Sequence, residues 1–401
     1  MKACGVIVEY NPFHNGHLYH LERSKETAEA DCMIAIMSGN FLQRGEPAII
    51  DKWHRAEAAL KSGADLVLEL PYIYAVEHSD YFSQGAVQAL SEIGVESICF
   101  GSESGDIQAF LSAHDHLDQH AGLYDETVRK HLNQGYSFPE ASRFGYQAVE
   151  LPTNSIDLAQ PNNILGYSYV KQILAYNNQI RPLTIKREKN HYHDETIEGN
   201  IASATSIRKE LLADGMNLLV QDSIPEATRD QLLLYKENKG MWHEWNQYFS
   251  LLQHKILTLK PKDLRSIQGV DEGLEHRLQR IIKESENFQQ FMEKLKTKRY
   301  TWTRLQRTLV HILTGTEKQD AQLLLNQPPP YVRVLAMSDT GKDYLRSTKK
   351  QMRIPLLTQP QQMNHLMLDI EERAAIAYYS VLEASVRNAM IKAEYGAPVQ
   401  H

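Results

Sequence analysis

Gly5-Val6-Ile7-Val8-Glu9-Tyr10-Asn11-Pro12-Phe13-His14-Asn15-Gly16-His17 is the stretch from which the rest of the chain is read. An apolar run ends in a carboxylate, passes through a proline turn and opens into an amphipathic segment, the pattern of a first strand feeding a first helix. The carboxyl ends of strands are where open α/β sheets bind ligands. A helix that begins there offers free backbone N–H groups and a positive dipole end to a phosphate, and Gly16 lets the main chain come close. His14 and His17, three residues apart, can both donate hydrogen bonds to phosphate oxygens as charge grows on a phosphorus under attack. A His-x-Gly-His in arbitrary context is more often a surface loop with incidental histidines. Its place directly after a first strand, together with a second motif downstream, selects the phosphate reading.

Working outward, residues 6–8, 33–37, 66–70 and 97–100 are nearly all apolar and are bounded by turn or charged residues, as strands covered on both faces require. Helical patterns begin near His17, Asp51 and Ser79, which gives the alternation of parallel βαβ units. Residues 107–148 read as helical, and Asn162 reads as the N-cap of a helix through residue 174. A fifth strand over 181–187 and a helix from about Ser203 complete an α/β unit near residue 215. The expected fold class is therefore α/β: a doubly wound parallel sheet over 1–215, followed by a mainly helical domain over 216–401. Long amphipathic helices are expected over 242–259, 273–295, 302–314 and 366–394, interrupted by one strand-like run at 331–337.

The 401 residues, 42% hydrophobic and 23% charged, place the chain in the soluble globular class. The apolar run at the N-terminus is too short for a signal peptide, and no run approaches the roughly 18–20 apolar residues of a membrane helix, so a cytoplasmic protein is expected. Cys4, Cys32 and Cys99 lie far apart with no Cys-x-x-Cys spacing, which points to buried thiols and away from structural zinc. Charge is uneven. Residues 1–215 hold 17 basic against 29 acidic side chains, net −12, whereas residues 216–401 hold 26 against 21, net +5. A polyanion docking through the C-terminal region fits this split, as does an ordinary solvated helical surface.

The second motif is Ile201-Ala202-Ser203-Ala204-Thr205-Ser206-Ile207-Arg208 at the start of a helix, where hydroxyls, a helix N-terminus and a planar cationic fork suit outer phosphates. Together the two motifs resemble the His-x-Gly-His nucleotidyltransferase superfamily. A closer resemblance spans almost the whole chain. Residues 6–17, Ser38-Gly39-Asn40-Phe41, Gln43-Arg44-Gly45-Glu46-Pro47-Ala48, the 63–71 segment and Gln160-Pro161-Asn162-Asn163-Ile164-Leu165-Gly166 look like the bacterial tRNA(Met) cytidine acetate ligases.

This resemblance implies an enzyme that joins acetate to the α-phosphate of ATP, giving acetyl-adenylate and pyrophosphate, and then acetylates N4 of the wobble cytidine of elongator tRNA(Met). It places ATP contacts between Ile7 and His20 (Ile7, Val8, Glu9, Asn11, Gly16 and His20 beside the catalytic pair His14 and His17), at Gly101, Asn162 and Arg187, and at Ser203, Ser206 and Arg208. A magnesium ion is expected to accompany ATP on its phosphates. His191-Tyr192-His193-Asp194 reads as polar loop residues and not as a zinc site. For RNA, Arg277, Arg280, Lys298, Arg299 and Arg304 are the principal cations, with Lys283, Lys294, Lys296 and Arg307 nearby and Tyr300 and Trp302 as stacking aromatics. Two alternatives stand beside this reading: a cofactor adenylyltransferase acting on a small phosphorylated substrate, and a non-catalytic RNA- or nucleotide-binding protein.

Overall fold

Five parallel strands form the centre of the sheet: β1 (Ala3–Val8), β2 (Cys32–Ser38), β3 (Leu66–Leu70), β4 (Ser97–Ser102) and β5 (Arg181–Lys186). The structure, a computed structural model, describes residues 1–152, 155–176, 179–187 and 202–401. The strands lie in the order β5-β4-β1-β2-β3, with the chain moving outward from β1 first one way and then the other. That order makes the sheet doubly wound, as the alternation of apolar runs and helices requires. All seven residues of β2 are buried, and their side chains alternate between two cores. Ile34 and Ile36 join the cluster on one face, while Met33, Ala35 and Met37 join the cluster on the other. Helices α1 (Asn15–Ala28) and α2 (Lys52–Lys61) cover the second face with Leu21, Ala28, Ala56 and Ala59. The Ser79–Ile93 helix covers the first through Ala86, Val87 and Leu90.

The sheet does not stop at residue 215. The expected run at 331–337 forms β6 (Val332–Met337), which pairs antiparallel with β3, and β7 (Leu356–Leu357) and β8 (Val399–Gln400) pair with β6. The first-face core is likewise continuous, running from Ile34 and Leu68 into Tyr248, Leu309 and Tyr378 of the C-terminal helices. The division at 215 thus separates neither sheet nor core. β3 would otherwise be an open, wholly buried edge, and an edge strand must be paired or covered.

Charge specifies the join as well as apolar surface. Glu69 and Arg333 sit opposite each other in the β3–β6 ladder and pair at 2.9 Å, while Lys52 Nζ lies 2.6 Å from Glu69 and 2.7 Å from Glu394. All four side chains are buried. Buried charges persist only when paired in this way, so each is a strong constraint on where the C-terminal strands go.

Two helices expected as continuous are interrupted, because a capping side chain lies inside each. Residues 273–295 divide into Leu274–Ile282 and Phe288–Leu295, the second starting where Asn287 accepts the Gln290 N–H at 2.9 Å. Residues 366–394 divide into Leu366–Tyr379 and Ala384–Ala393, with Glu383 accepting the Ser385 N–H at 3.0 Å.

Candidate active site

The carboxyl ends of β1, β4 and β5 open onto a cavity of about 270 Å³, roofed by α1 and by the N-terminus of the Ala204–Asp214 helix. His14 and His17 face it from the first turn of α1. His14 is the N-cap: its Nδ1 accepts the Gly16 N–H at 3.1 Å, while His17 Nδ1 accepts the His14 N–H at 3.3 Å. The rings stack with centroids 3.7 Å apart.

This reciprocal cap fixes the chemistry of both rings. A ring nitrogen that accepts an amide proton carries none of its own, so in the neutral imidazole the proton sits on Nε2. Burial, followed by the positive charges of Arg187 and Arg208, lowers His14 to about 3. Burial, then His14, Arg187 and His20, holds His17 well below its ordinary value, and burial with Arg187 lowers His20 to about 4. Near neutral pH the pair therefore presents two Nε2–H donors and no proton acceptor.

Across the cavity, Ser203 caps its helix by accepting the Ser206 N–H at 3.0 Å. Arg208 reaches back over the cleft, donating to the Asn11 carbonyl at 2.9 Å and to Glu46 Oε2 at 3.1 Å. The two helix N-termini thus face one cavity. Ile7, Val8, Glu9, Asn11, Gly16 and His20 all line it, as do Gly101, Asn162, Arg187, Ser203 and Arg208. Ser206 does not: it is buried, and its hydroxyl donates to the Ser203 carbonyl at 2.9 Å. Gly101 lies under Arg187, where a β-carbon would stand 3.3 Å from Arg187 Cγ. Asn162 is not the cap expected for its helix. Glu103 fills that role, accepting from the Asn163 N–H at 2.8 Å and from Asn162 Nδ2 at 2.7 Å, which leaves Asn162 at the cavity rim. Ile201 and the segment His191–Asp194 lie outside the described residues.

Sequence reasoning assigned no individual role to the loop after β2. Gln43, Arg44 and Glu46 line the cavity on the side of β1 away from β4, and the Gln43 N–H donates to Glu9 Oε1 at 2.7 Å. A signal existed, since this loop leaves the ligand-binding edge of the sheet next to β1. Tyr10 falls within the Ile7-to-His20 span but was given no role of its own. It is wholly buried with φ +48°, a conformation costly for an aromatic residue, and it packs edge-on against Phe13 and His17 with ring centroids 4.5 and 5.0 Å away.

Arg55 gave no sequence signal beyond one cation on a helix. Its guanidinium is buried and donates to the carbonyls of Ile50 (3.1 Å), Glu9 (2.6 Å), Ser38 (3.1 Å) and Gly39. It ties together the ends of β1 and β2 beneath the cleft.

The cations proposed for RNA are not one surface. Arg277 is half-buried and committed within the protein, donating to the carbonyls of Leu295 at 3.0 Å and Lys294 at 2.6 Å, and Tyr300 is buried with its hydroxyl on the Asp271 carbonyl at 3.1 Å. Arg280 and Lys298 are exposed, and Arg299 pairs with Glu272. Arg304 lies over the Tyr300 ring at 4.8 Å. One turn further along the Trp302–Thr314 helix, Arg307 donates to the Gln43 carbonyl at 3.4 Å. The fit is close there: Gly45 has φ +73°, and a β-carbon on it would stand 2.2 Å from the Arg307 nitrogen. Arg307 thus adjoins the loop that walls the cavity, Arg304 lies one turn before it on the same helix beside Tyr300 and Asp271, and Arg277 is held elsewhere.

A doubly wound sheet with a His-x-Gly-His cap facing a Ser/Thr-Arg helix start defines a nucleotidyltransferase-type enzyme, and the family model described as HIGH Nucleotidyl Transferase matches residues 1–394. Full-length relatives narrow the class. The chain is 49% identical over 400 residues to tRNA(Met) cytidine acetate ligase of Oceanobacillus iheyensis, covering 100% of both chains. It is 43% identical over 406 residues to the enzyme of that name from Bacillus subtilis, covering 100% of this chain and 98% of the relative. Among solved structures it is similar to Thermotoga maritima TmcAL bound with α-thio ATP, with a TM-score of 0.90 at 30% identity, covering 100% of this chain and 99% of that one. The chain belongs to the HIGH nucleotidyl transferases and, within them, to the tRNA(Met) cytidine acetate ligase family.

Proposed function

We propose that this protein condenses acetate with ATP to acetyl-adenylate and pyrophosphate, and transfers the acetyl group to N4 of the wobble cytidine (position 34) of elongator tRNA(Met), releasing AMP. The observation that carries the reading is the pair of helix N-termini converging on one cavity, with His14 and His17 on one side and Ser203 and Arg208 on the other.

The chemistry follows from that geometry. In the first step an acetate oxygen forms a bond to the α-phosphorus as the bond to pyrophosphate breaks. Negative charge accumulates on phosphate oxygens, where the Nε2–H donors of His14 and His17 and the cations of Arg187 and Arg208 favour it. The sheet order supports a division of the two substrates between opposite sides of β1. Gly101 and Asn162 lie on the β4 side and suit adenosine, whereas Gln43, Arg44 and Glu46 on the β2 side suit the acyl group and its acceptor. Arg307 adjoins that second side, with Arg304 one turn away on the same helix, which supports entry of the base of a bound RNA past Gln43. Arg299, on Glu272 beside Tyr300, continues the cations next to Arg304, Lys298 and Arg280 are further exposed cations offered to the RNA, and the protein acts in the cytoplasm with its tRNA. The cavity's carboxylates among the described residues are Glu9, bonded to Gln43 N–H, and Glu46, paired with Arg208, which do not make a protein metal site. A magnesium ion would be held by the ATP phosphates and water.

The test supplies ATP, labelled acetate and total tRNA. Label is expected in RNA with AMP accumulating. Adenylation of a small phosphorylated acceptor without label in RNA would instead establish a cofactor adenylyltransferase, and nucleotide binding without turnover a non-catalytic protein.

A further inference from the structure

We infer that Glu9 is the general base of the acyl-transfer step, accepting the proton that cytosine N4 loses as it takes the acetyl group. The inference rests on the reaction proposed above. An exocyclic amine attached to an electron-poor ring is a weak nucleophile, and a proton acceptor placed at the nitrogen makes its attack productive. As the N4–carbon bond forms, the carbonyl pair moves onto oxygen. It then returns to expel AMP through its phosphate oxygen, and the N4 proton passes to Glu9 and from there to water.

The site leaves few groups able to take that proton, and His20 stands by Arg187 at the end of β5, across β1 from the Gln43 loop, with Nε2 3.5 Å from the Ser24 hydroxyl. His14 and His17 are excluded by their own caps, since each Nδ1 accepts a backbone N–H and each Nε2 carries the proton. Glu46 is engaged by Arg208 at 3.1 Å. Glu9 stands at the end of β1 in the cavity wall. One carboxylate oxygen is fixed by the Gln43 N–H at 2.7 Å, and the other takes no hydrogen bond from the described residues. A carboxylate held by one oxygen and open at the other is aimed without being neutralised.

Its position also suits the acceptor. Glu9 faces the loop on the β2 side of β1, the loop whose Gln43 carbonyl receives Arg307 from the cation-bearing helix. The charged groups around it are Arg44 and Glu46 on that loop, Arg208 from the second phosphate-facing helix and Arg55 below, whose guanidinium holds the Glu9 carbonyl at 2.6 Å. Burial raises the Glu9 carboxyl above its ordinary value despite Arg44 and Arg208, which moves it towards the working pH, where a general base is most effective.

The two half-reactions separate this role from a structural one. Adenylation is followed by acetate-dependent exchange of pyrophosphate into ATP. Transfer is followed in single turnovers with acetyl-adenylate supplied to enzyme and tRNA(Met) at a series of pH values. Wild-type transfer is expected to fall on an acid limb. Glu9→Gln keeps an oxygen to accept the Gln43 N–H, and is expected to slow transfer by roughly 10²-fold or more, to lose the acid limb, and to slow exchange by a much smaller factor. Glu9→Asp is expected to retain the limb at a reduced rate. Loss of exchange and transfer by one common factor in Glu9→Gln, or an acid limb that survives in it, would overturn the assignment. A wild-type protein that neither exchanges pyrophosphate with acetate nor acetylates RNA would overturn the underlying reaction and not the role of Glu9 within it.

Discussion

Replacing Arg55 by methionine tests whether the cleft is pinned from beneath. Methionine is a near match in length and apolar bulk, so little cavity volume is created, but it supplies none of the donors now reaching the carbonyls of Ile50, Glu9, Ser38 and Gly39. A buried acceptor left unsatisfied costs about 1–3 kcal/mol. Four such acceptors are offset in part, because the substitution also removes a guanidinium whose burial disfavours its charge. A net loss of about 3–5 kcal/mol is expected. Arg55→Lys restores the charge but not the fork, and a single ammonium cannot reach acceptors on both strand ends, so it should recover less than half of that loss. Urea unfolding of the three proteins measures stability, and the KM for ATP in pyrophosphate exchange reports the cleft. KM should rise in both variants even where they are fully folded, because Glu9 and the loop after Ser38 lose a common anchor. Methionine within about 1 kcal/mol of wild type, with KM unchanged, would refute the reasoning.

Further expectations concern the phosphate cap, the RNA surface and the buried charges. His17→Ala removes one Nε2–H donor and the acceptor of the His14 N–H, and should lower acetyl-adenylate formation on the order of 10²–10³-fold while tRNA retention on filters survives. Neutralising Arg299 and Arg304 together should weaken tRNA binding and flatten the slope of log K against log salt by about 2; an unchanged slope would remove them from the surface. Glu371 is held near 8 by burial and by Glu69 beside it, against 4.5 for an ordinary glutamate. A carboxyl raised in this way adds stability fully present below its unfolded value and lost as pH climbs through its folded one. Between pH 5 and 9, wild type should therefore lose more stability than Glu371→Gln, and equal losses in thermal melts would show that Glu371 does not titrate there.

Much of the fold was legible because it is local. Strands buried on both faces read as nearly all-apolar runs, which is why residues 66–70 and 97–100 stand out despite Glu69 and Ser97, and the His-x-Gly-His cap lies within four consecutive residues. Long-range pairing leaves no such mark. Nothing near Glu69 announces Arg333, 264 positions away, and Arg55 reads as a solvated helix cation until four carbonyls close around it. Helix breaks at Asn287 and Glu383 were hidden because the apolar spacing continues through them, while the capping side chain that ends the pattern is an ordinary polar residue. Among the RNA cations, composition placed Arg277 and Arg304 together, whereas the direction of each side chain separates them.

The late strand β6 imposes an order on synthesis. When the ribosome has delivered both helix starts that face the cavity, the sheet still ends in a bare β3 carrying an unneutralised Glu69, and its cover arrives only after more than a hundred further residues have been translated. Until then the nascent chain exposes an adhesive flank to its neighbours. A gene cut at codon 215 should consequently yield insoluble protein, although it encodes most of the nucleotide cleft.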